Sequence, residues 1–284
     1  ADTQDLGFRA ELPCLVSPTR EHGIPDFVVD KSKFNAGNDR QWRGQVHQIR
    51  ERVLLVTGPI QYQVDQPFEL KAEPDDVVSG IVRRKISLDQ GRIHAWLLMP
   101  ENHVGKLPTI LCLHQTTKMG KAEPAGLGGL PNLHYALELV QRGFITVAPD
   151  YPGYGDAVPA QAYKQGFHST TAQGIANHKR LIDWLCTLPE VDAARLGCIG
   201  HSLGGHNTLF LGLFDERIKV LATSCGFCSF PKYYGGNLKG WSHAGYMPRI
   251  ASLYQCDPKQ MPFDFTEILA ALAPRPVFIN APLK

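Results

Sequence analysis

The stretch that most constrains this chain is Gly200-His201-Ser202-Leu203-Gly204, followed by Gly205. Upstream, Leu196-Gly197-Cys198-Ile199 is a short apolar run of the sort a buried parallel strand shows. Downstream, Leu203 to Leu213 reads as a helix that opens on small residues. The G-x-S-x-G pattern therefore sits at a strand-to-helix turn, the context in which it carries chemistry. A turn this sharp leaves little room beside the serine, so Gly200 and Gly204 are physical requirements. It lifts the Ser202 hydroxyl above the strand ends. It also aims the Leu203 backbone N–H and the helix N-terminus at charge developing on an attacked carbonyl oxygen. The bland alternative is a glycine-rich turn with an idle serine; the strand before and the helix after weigh against it.

The chain has 284 residues, room for one large domain or two small ones, and is 43% hydrophobic and 20% charged. That balance supports a sizeable core rather than wholesale disorder. The net charge is +2, and no basic cluster is interleaved with aromatics, so nothing points to nucleic acid. No apolar run approaches the roughly 20 residues of a helical membrane span. Seven scattered cysteines do not read as a disulfide framework. Cys225-Gly226-Phe227-Cys228 is a lone C-x-x-C, expected to pack in the core at a strand end rather than to bind metal. The first residue is Ala1, which fits a cytoplasmic chain or one whose leader has been removed.

Along the chain, residues 1–41 are rich in turn formers and read as an irregular extension. Residues 42–57 read as a helix with Val46, Ile49, Val53 and Leu54 on one face. Residues 58–78, with Pro59, Pro67 and Pro74, are expected to be irregular. A hairpin follows: Ile81–Leu88, a turn at 89–91, then Arg92–Met99. Pro108–His114 is a buried strand. Pro131–Arg142 is a helix with Gly143 as its C-cap. Phe144–Ala148 is a strand leading into Pro149-Asp150-Tyr151-Pro152-Gly153-Tyr154-Gly155-Asp156. A long helix spans about Thr170–Leu188, and the glycine-flanked turn comes next. Ile218–Thr223, a helix over Phe263–Leu272 and a strand over Pro276–Asn280 complete the pattern. Strands alternating with helices at this spacing predict an α/β fold: a mostly parallel, twisted sheet with helices on both faces.

From about Ile81 onward the chain resembles the α/β-hydrolase fold, and within it the dienelactone hydrolase-like and acetyl xylan esterase-like serine esterases. The resemblance is carried by Leu113-His114, by Ala148-Pro149-Asp150-Tyr151-Pro152-Gly153-Tyr154-Gly155, by Val191-Asp192 and Arg195-Leu196-Gly197 leading into the Ser202 turn, and by Ala273-Pro274-Arg275-Pro276-Val277-Phe278. It implies residues 1–80 as an N-terminal extension with one helix and 81–284 as the core, without its C-terminal part. It also implies a carboxylic ester hydrolase working through an acyl-serine intermediate on a small-molecule or carbohydrate ester, with no metal or organic cofactor. True dienelactone hydrolases use a cysteine, so Ser202 points to the ester-cleaving branch.

The roles follow from the same resemblance. Ser202 is the nucleophile and Leu203 N–H one oxyanion donor. The second donor comes from the loop after His114, where many relatives have His-Gly and this chain has His114-Gln115; Thr116 is the first candidate and Gln115 the next. His114 is expected to be a neutral imidazole bonded within its loop, and Asp150 to pin its own loop. His201 and His206 read as satisfied packing residues. Tyr154, Trp241 and His243 are candidates for lining the substrate cleft, among a wider aromatic set that includes Tyr163 and Tyr246. The order serine, acid, histidine places the acid and histidine beyond Lys284; inside the chain His243 is the alternative base. Two other functions compete: a peptidase resembling the prolyl oligopeptidase catalytic domain, and a non-catalytic binding module.

Overall fold

A computed structural model describes residues 39–62, 66–158 and 160–281. The irregular extension expected over residues 1–41 lies, up to residue 38, outside them. Helix α1 spans Asp39–Thr57 and turns Val46, Ile49, Val53 and Val56 inward at helical spacing. Strands β3 (Ile81–Leu88) and β4 (Ile93–Pro100) form the expected hairpin. Next come β5 (Leu107–Leu113), α2 (Tyr135–Val140), β6 (Ile145–Pro149), α3 (Thr170–Leu185), β7 (Val191–His201), α4 (Leu203–Phe214) and β8 (Ile218–Ser224). A short α5 (Arg249–Ser252), α6 (Phe265–Leu272) and β9 (Val277–Asn280) complete the described fold.

Two short strands precede the hairpin, β1 (Leu70–Ala72) and β2 (Asp76–Val78), and both pair antiparallel with β3. They correct the irregular reading of residues 58–78. All six residues are exposed, so no burial alternation marks them, and each run of three is too short to signal a strand. The helix expected over 131–142 is also broken. Pro131–Leu133 is a 3-10 turn, and α2 starts only at Tyr135, with the Ala136 and Leu137 amides donating to Pro124 O at 3.0 and 3.2 Å. A loop carbonyl thus takes the place of the missing first turn. Gly143 closes α2 at φ 88° as expected.

The sheet runs β1-β3-β4-β6-β5-β7-β8-β9, parallel from β6 to β9 and antiparallel elsewhere. Its strands alternate by face. Leu111, Leu113, Ile145, Val147, Leu196 and Cys198 join the large core shared with α1, α3, α4 and α6. Ile110, Cys112, Ala148 and Ile199 meet α2 on the opposite side. The period of two is the reason both faces need helices.

The path from β5 goes to β6 on one side and then crosses to β7 on the other. The order reverses between β5 and β7, which opens a crevice beyond their C-terminal ends. The residues predicted to matter leave the sheet at that crevice.

Candidate active site

Ser202 ends β7 and caps α4 with φ 51° and ψ −115°, a left-handed conformation that is strained for a serine. Its N–H donates to Ser224 O at 2.7 Å and its carbonyl accepts the His206 N–H at 2.9 Å. Close contact enforces the turn. A Cβ on Gly200 would lie 2.2 Å from the Gly204 carbonyl carbon. One on Gly204 would lie 1.8 Å from Leu113 O, which is how near the start of α4 comes to the end of β5. The side chain of Ser202 is half-exposed, and among the described residues its hydroxyl has no hydrogen-bond partner.

Across the crevice, the loop after β5 is held from behind. His114 Nδ1 donates to Gln115 O at 2.6 Å, and Nε2 accepts the Tyr151 N–H at 2.9 Å. Burial holds this imidazole below its ordinary range, so it is neutral, as expected. The Gln115 side chain donates to the buried carboxylate of Glu123, whose other oxygen accepts the Leu130 N–H at 2.9 Å. The His-Gln step therefore has its own anchor. Asp150 pins the next loop, accepting from Lys121 N–H at 2.8 Å, from Lys121 Nζ at 2.7 Å and from Asp156 N–H at 2.9 Å. Lys121 is buried and reaches Asp156 as well, whose carboxyl it holds below the usual carboxylate range. Among the described residues, the N–H groups of Leu203, Gln115 and Thr116 have no acceptor. These three free donors flank the contact between Gly204 and the β5 end.

The cleft candidates separate. Tyr154 is half-buried and meets His114 edge-on at 5.5 Å. His243 is exposed, receives the Gly245 N–H at 3.1 Å and stands edge-on to Tyr246 at 4.9 Å. Among the described residues no hydrogen bond joins it to Ser202. Trp241, by contrast, is a core residue, 9% exposed and stacked on the His206 ring at 5.0 Å. Its indole lies under the crevice rather than along it.

His206 corrects another expectation. It is buried, but neither ring nitrogen has a partner, and it sits among Phe210, Trp241, Tyr246 and Phe265. Burial drives its pKa down to about 3, so it is a neutral aromatic filler. His201 bonds instead to Ser224 Oγ at 3.0 Å. Cys225 is exposed at φ 51° and Cys228 half-buried, so the C-x-x-C is not core packing; the chain turns out of the sheet there, with Cys225 N–H donating to Asn280 O at 3.0 Å. Sequence reasoning gave no weight to Lys121 or Glu123 and no role to Tyr151, because their distant partners leave no mark on the sequence.

Comparison with known proteins bears on this crevice directly. The model of the X-Pro dipeptidyl-peptidase (S15) family matches residues 89–260, from the hairpin turn through α4 to α5. YtaP of Bacillus subtilis (strain 168) is 26% identical over 194 residues, 64% of this chain and 62% of its own. YcjY of Escherichia coli (strain K12) is 32% identical over 91 residues, 31% of this chain and 28% of its own. The chain thus spans under two thirds of the length of these curated relatives. Among solved structures, the glucuronoyl esterase from Solibacter usitatus superposes with TM-score 0.62 at 14% identity, over 85% of this chain and 73% of that one. Acetyl xylan esterase 1 from Thermoanaerobacterium sp. JW/SL YS485 superposes with TM-score 0.51 at 20% identity, over 85% and 76%. At these identities the superpositions speak for the fold alone. With the family match covering more than half of its length, this chain belongs to the S15 family and carries that family's α/β-hydrolase-type domain.

Proposed function

We propose that this protein is a serine-dependent carboxylic ester hydrolase acting through an acyl-enzyme. The observation that carries the reading is the Ser202 turn. A strained, half-exposed serine stands at the topological switch point, and at the same crevice three backbone N–H groups have no acceptor among the described residues. In this reading Ser202 Oγ attacks the ester carbonyl and its proton passes to a histidine. The oxyanion settles between Leu203 N–H and Thr116 N–H, with Gln115 N–H as the neighbouring donor. Each such donor contributes about 3–4 kcal/mol to the barrier reduction. The alcohol departs with the proton returned by the histidine, and water then releases the acid. Among the described residues no histidine bonds to Ser202, and the base and its acid are left unassigned. Asn280 pairs with Ser224, so β9 ends beside the turn.

The substrate class is read from the walls. Tyr154, Thr116 and Tyr246 present rings and hydroxyls. The carboxylates Asp150, Asp156 and Glu123 are already engaged by Lys121, Lys85 and Gln115. Carboxylates paired in this way suit a neutral small ester or an acylated carbohydrate. The two structural neighbours, a glucuronoyl esterase and an acetyl xylan esterase by name, point the same way.

The family match favours a second reading, release of X-Pro dipeptides. That activity requires a free carboxylate for the substrate ammonium. Parallel assays with p-nitrophenyl acetate and Ala-Pro-p-nitroanilide separate the two, run on wild type and on Ser202→Ala. Ester turnover lost by a factor of about 10⁴ or more in the variant supports the esterase. Turnover of the anilide alone supports the peptidase, and equal turnover by both proteins removes Ser202 from the mechanism.

A further inference from the structure

Residues 242–246 cross the mouth of the crevice and are tied to both of its sides. Tyr163 Oη and Thr170 Oγ1 each donate to Ala244 O at 2.6 Å. Tyr151 Oη donates to Gly245 O at 3.0 Å, and the Tyr151 N–H donates to His114 Nε2, just past the end of β5. The Thr171 N–H at the start of α3 donates to Tyr246 O at 3.5 Å. Four bonds on three consecutive carbonyls fix the backbone of the segment. On the α4 side the Tyr246 ring lies edge-on to His206 at 5.3 Å, and the His206 N–H donates to Ser202 O at 2.9 Å. His243 stands one ring further out, edge-on to Tyr246 at 4.9 Å. Its Nδ1 accepts the Gly245 N–H at 3.1 Å. A Cβ on Gly245 would lie 2.9 Å from Cε1 of the same imidazole, so the ring rests on backbone that only a glycine leaves bare.

We propose that His243 is a substrate-contacting residue, whose Nε2–H is a fixed donor to an oxygen on the alcohol part of the ester. An imidazole nitrogen that accepts an N–H carries no proton, so in the neutral ring the proton sits on Nε2. His243 is exposed, and its Nε2 has no partner among the described residues. The same tautomer removes His243 as the base for Ser202, because a base must present a lone pair and this one is already given to Gly245. What remains is a donor at the crevice mouth, on a ring that cannot turn without losing the Gly245 bond. A neutral donor of this kind pairs with a hydroxyl or ether oxygen. An acylated carbohydrate carries such oxygens around the reacting bond, and a plain aryl ester does not. The inference rests on the esterase reading above for its kinetic arm only.

The test compares kcat/KM in the full chain for an acetylated methyl glucoside and for phenyl acetate. His243→Leu is expected to lower the ratio of the two, sugar over phenyl, about three- to tenfold. His243→Gln, whose amide N–H can reach where Nε2 stood, should regain most of that loss. Gly245→Ala keeps the imidazole but pushes it off its seat, and should lower the ratio as His243→Leu does. A wild-type ratio in His243→Leu or in Gly245→Ala overturns the proposal. A loss of about 10³-fold or more on both esters in His243→Leu also overturns it, and makes His243 the base instead. Two readouts need no turnover. Imidazole nitrogen shifts measured above pH 8 must place the proton on Nε2, and a proton on Nδ1 overturns the proposal. In the Ser202→Ala background, calorimetry must show the acetylated glucoside binding about three- to tenfold more weakly once His243→Leu is added; equal affinity overturns the contact. Were Ser202→Ala as active as wild type on both esters, the esterase reading would fall while the nitrogen shifts and the binding still decided this one.

Discussion

On the β7 side of the crevice the backbone is held by contact; on the β5 side it is held by charge and hydrogen bonds. Gly200 and Gly204 let the turn close until no atom more could enter, and the strain at Ser202 is balanced by the burial of α4 against the sheet. Opposite, the loops after β5 and β6 are wide and irregular. Their shape is set by Lys121 between Asp150 and Asp156, by Glu123 on Gln115, and by His114 on Tyr151. The serine side has one shape that sterics allow, and the loop side has one shape that satisfies its polar groups. The first cannot be tuned by a residue without breaking it, whereas the second can be changed bond by bond.

That contrast can be broken by experiment. The largest effect is expected on the contact-held side. Gly204→Ala must displace Leu113 O by more than an ångström, so the variant should fail to fold or lose over about 4 kcal/mol in urea denaturation. A mild loss would mean that the turn is softer than its geometry.

On the polar side, Asp150→Ala leaves a buried ammonium with only Asp156 and strands two N–H donors. Its expected cost is about 3–5 kcal/mol, and Asp150→Asn should recover part of it. A loss below about 1 kcal/mol would show that the network is ornamental.

Acid sharpens the comparison further. Burial lowers both His178 and His206 to about 3, against an unfolded value near 6.5. The folded state excludes their protons, so the stability tied to neutrality is complete above about pH 6.5. It is lost as pH falls toward 3, by up to about 1.4 kcal/mol per unit for each. Urea midpoints at pH 7, 5.5 and 4.5 measure the slope, and His206→Phe should flatten it. A slope unchanged in His206→Phe would mean that water reaches the ring.

The smallest effect belongs far from the crevice. Arg84→Ala removes the paired contacts to Asp75 at 2.6 and 2.7 Å, both partners being about one-third exposed, and should cost under about 1 kcal/mol.

The same division explains what could be read before the structure. The Ser202 turn is local: strand, glycines, serine and helix follow one another, so its place, Leu203 and the parallel sheet were all legible. The central strands β5, β6 and β7 and helices α3 and α4 were legible because their burial writes itself into apolar runs, and the β3–β4 hairpin because of the turn between two runs. The polar side was legible only where its partners are neighbours, as for His114 with Gln115. Lys121 needs Asp150, across a long stretch of chain. Nothing in a lysine between Gly120 and Ala122 announces that it will be buried. Trp241 misled because an aromatic residue in an irregular stretch can face the cleft or the core, and only the position of His206 decides which. Strands β1 and β2 escaped because three exposed residues carry no alternation.

The pairing of Leu113 with Gly200 has one more consequence. The donor loop and the serine leave the sheet from adjacent strands in register, so the gap between them is set by the spacing of a β-ladder, about 4.8 Å. Neither edge can move without tearing backbone hydrogen bonds. The sheet itself is therefore the caliper of this site: in the proposed reaction every substrate carbonyl would meet the same gap, whatever group it carries. Selection among substrates falls to the loops above the sheet, which can diverge freely while the gauge below them stays constant.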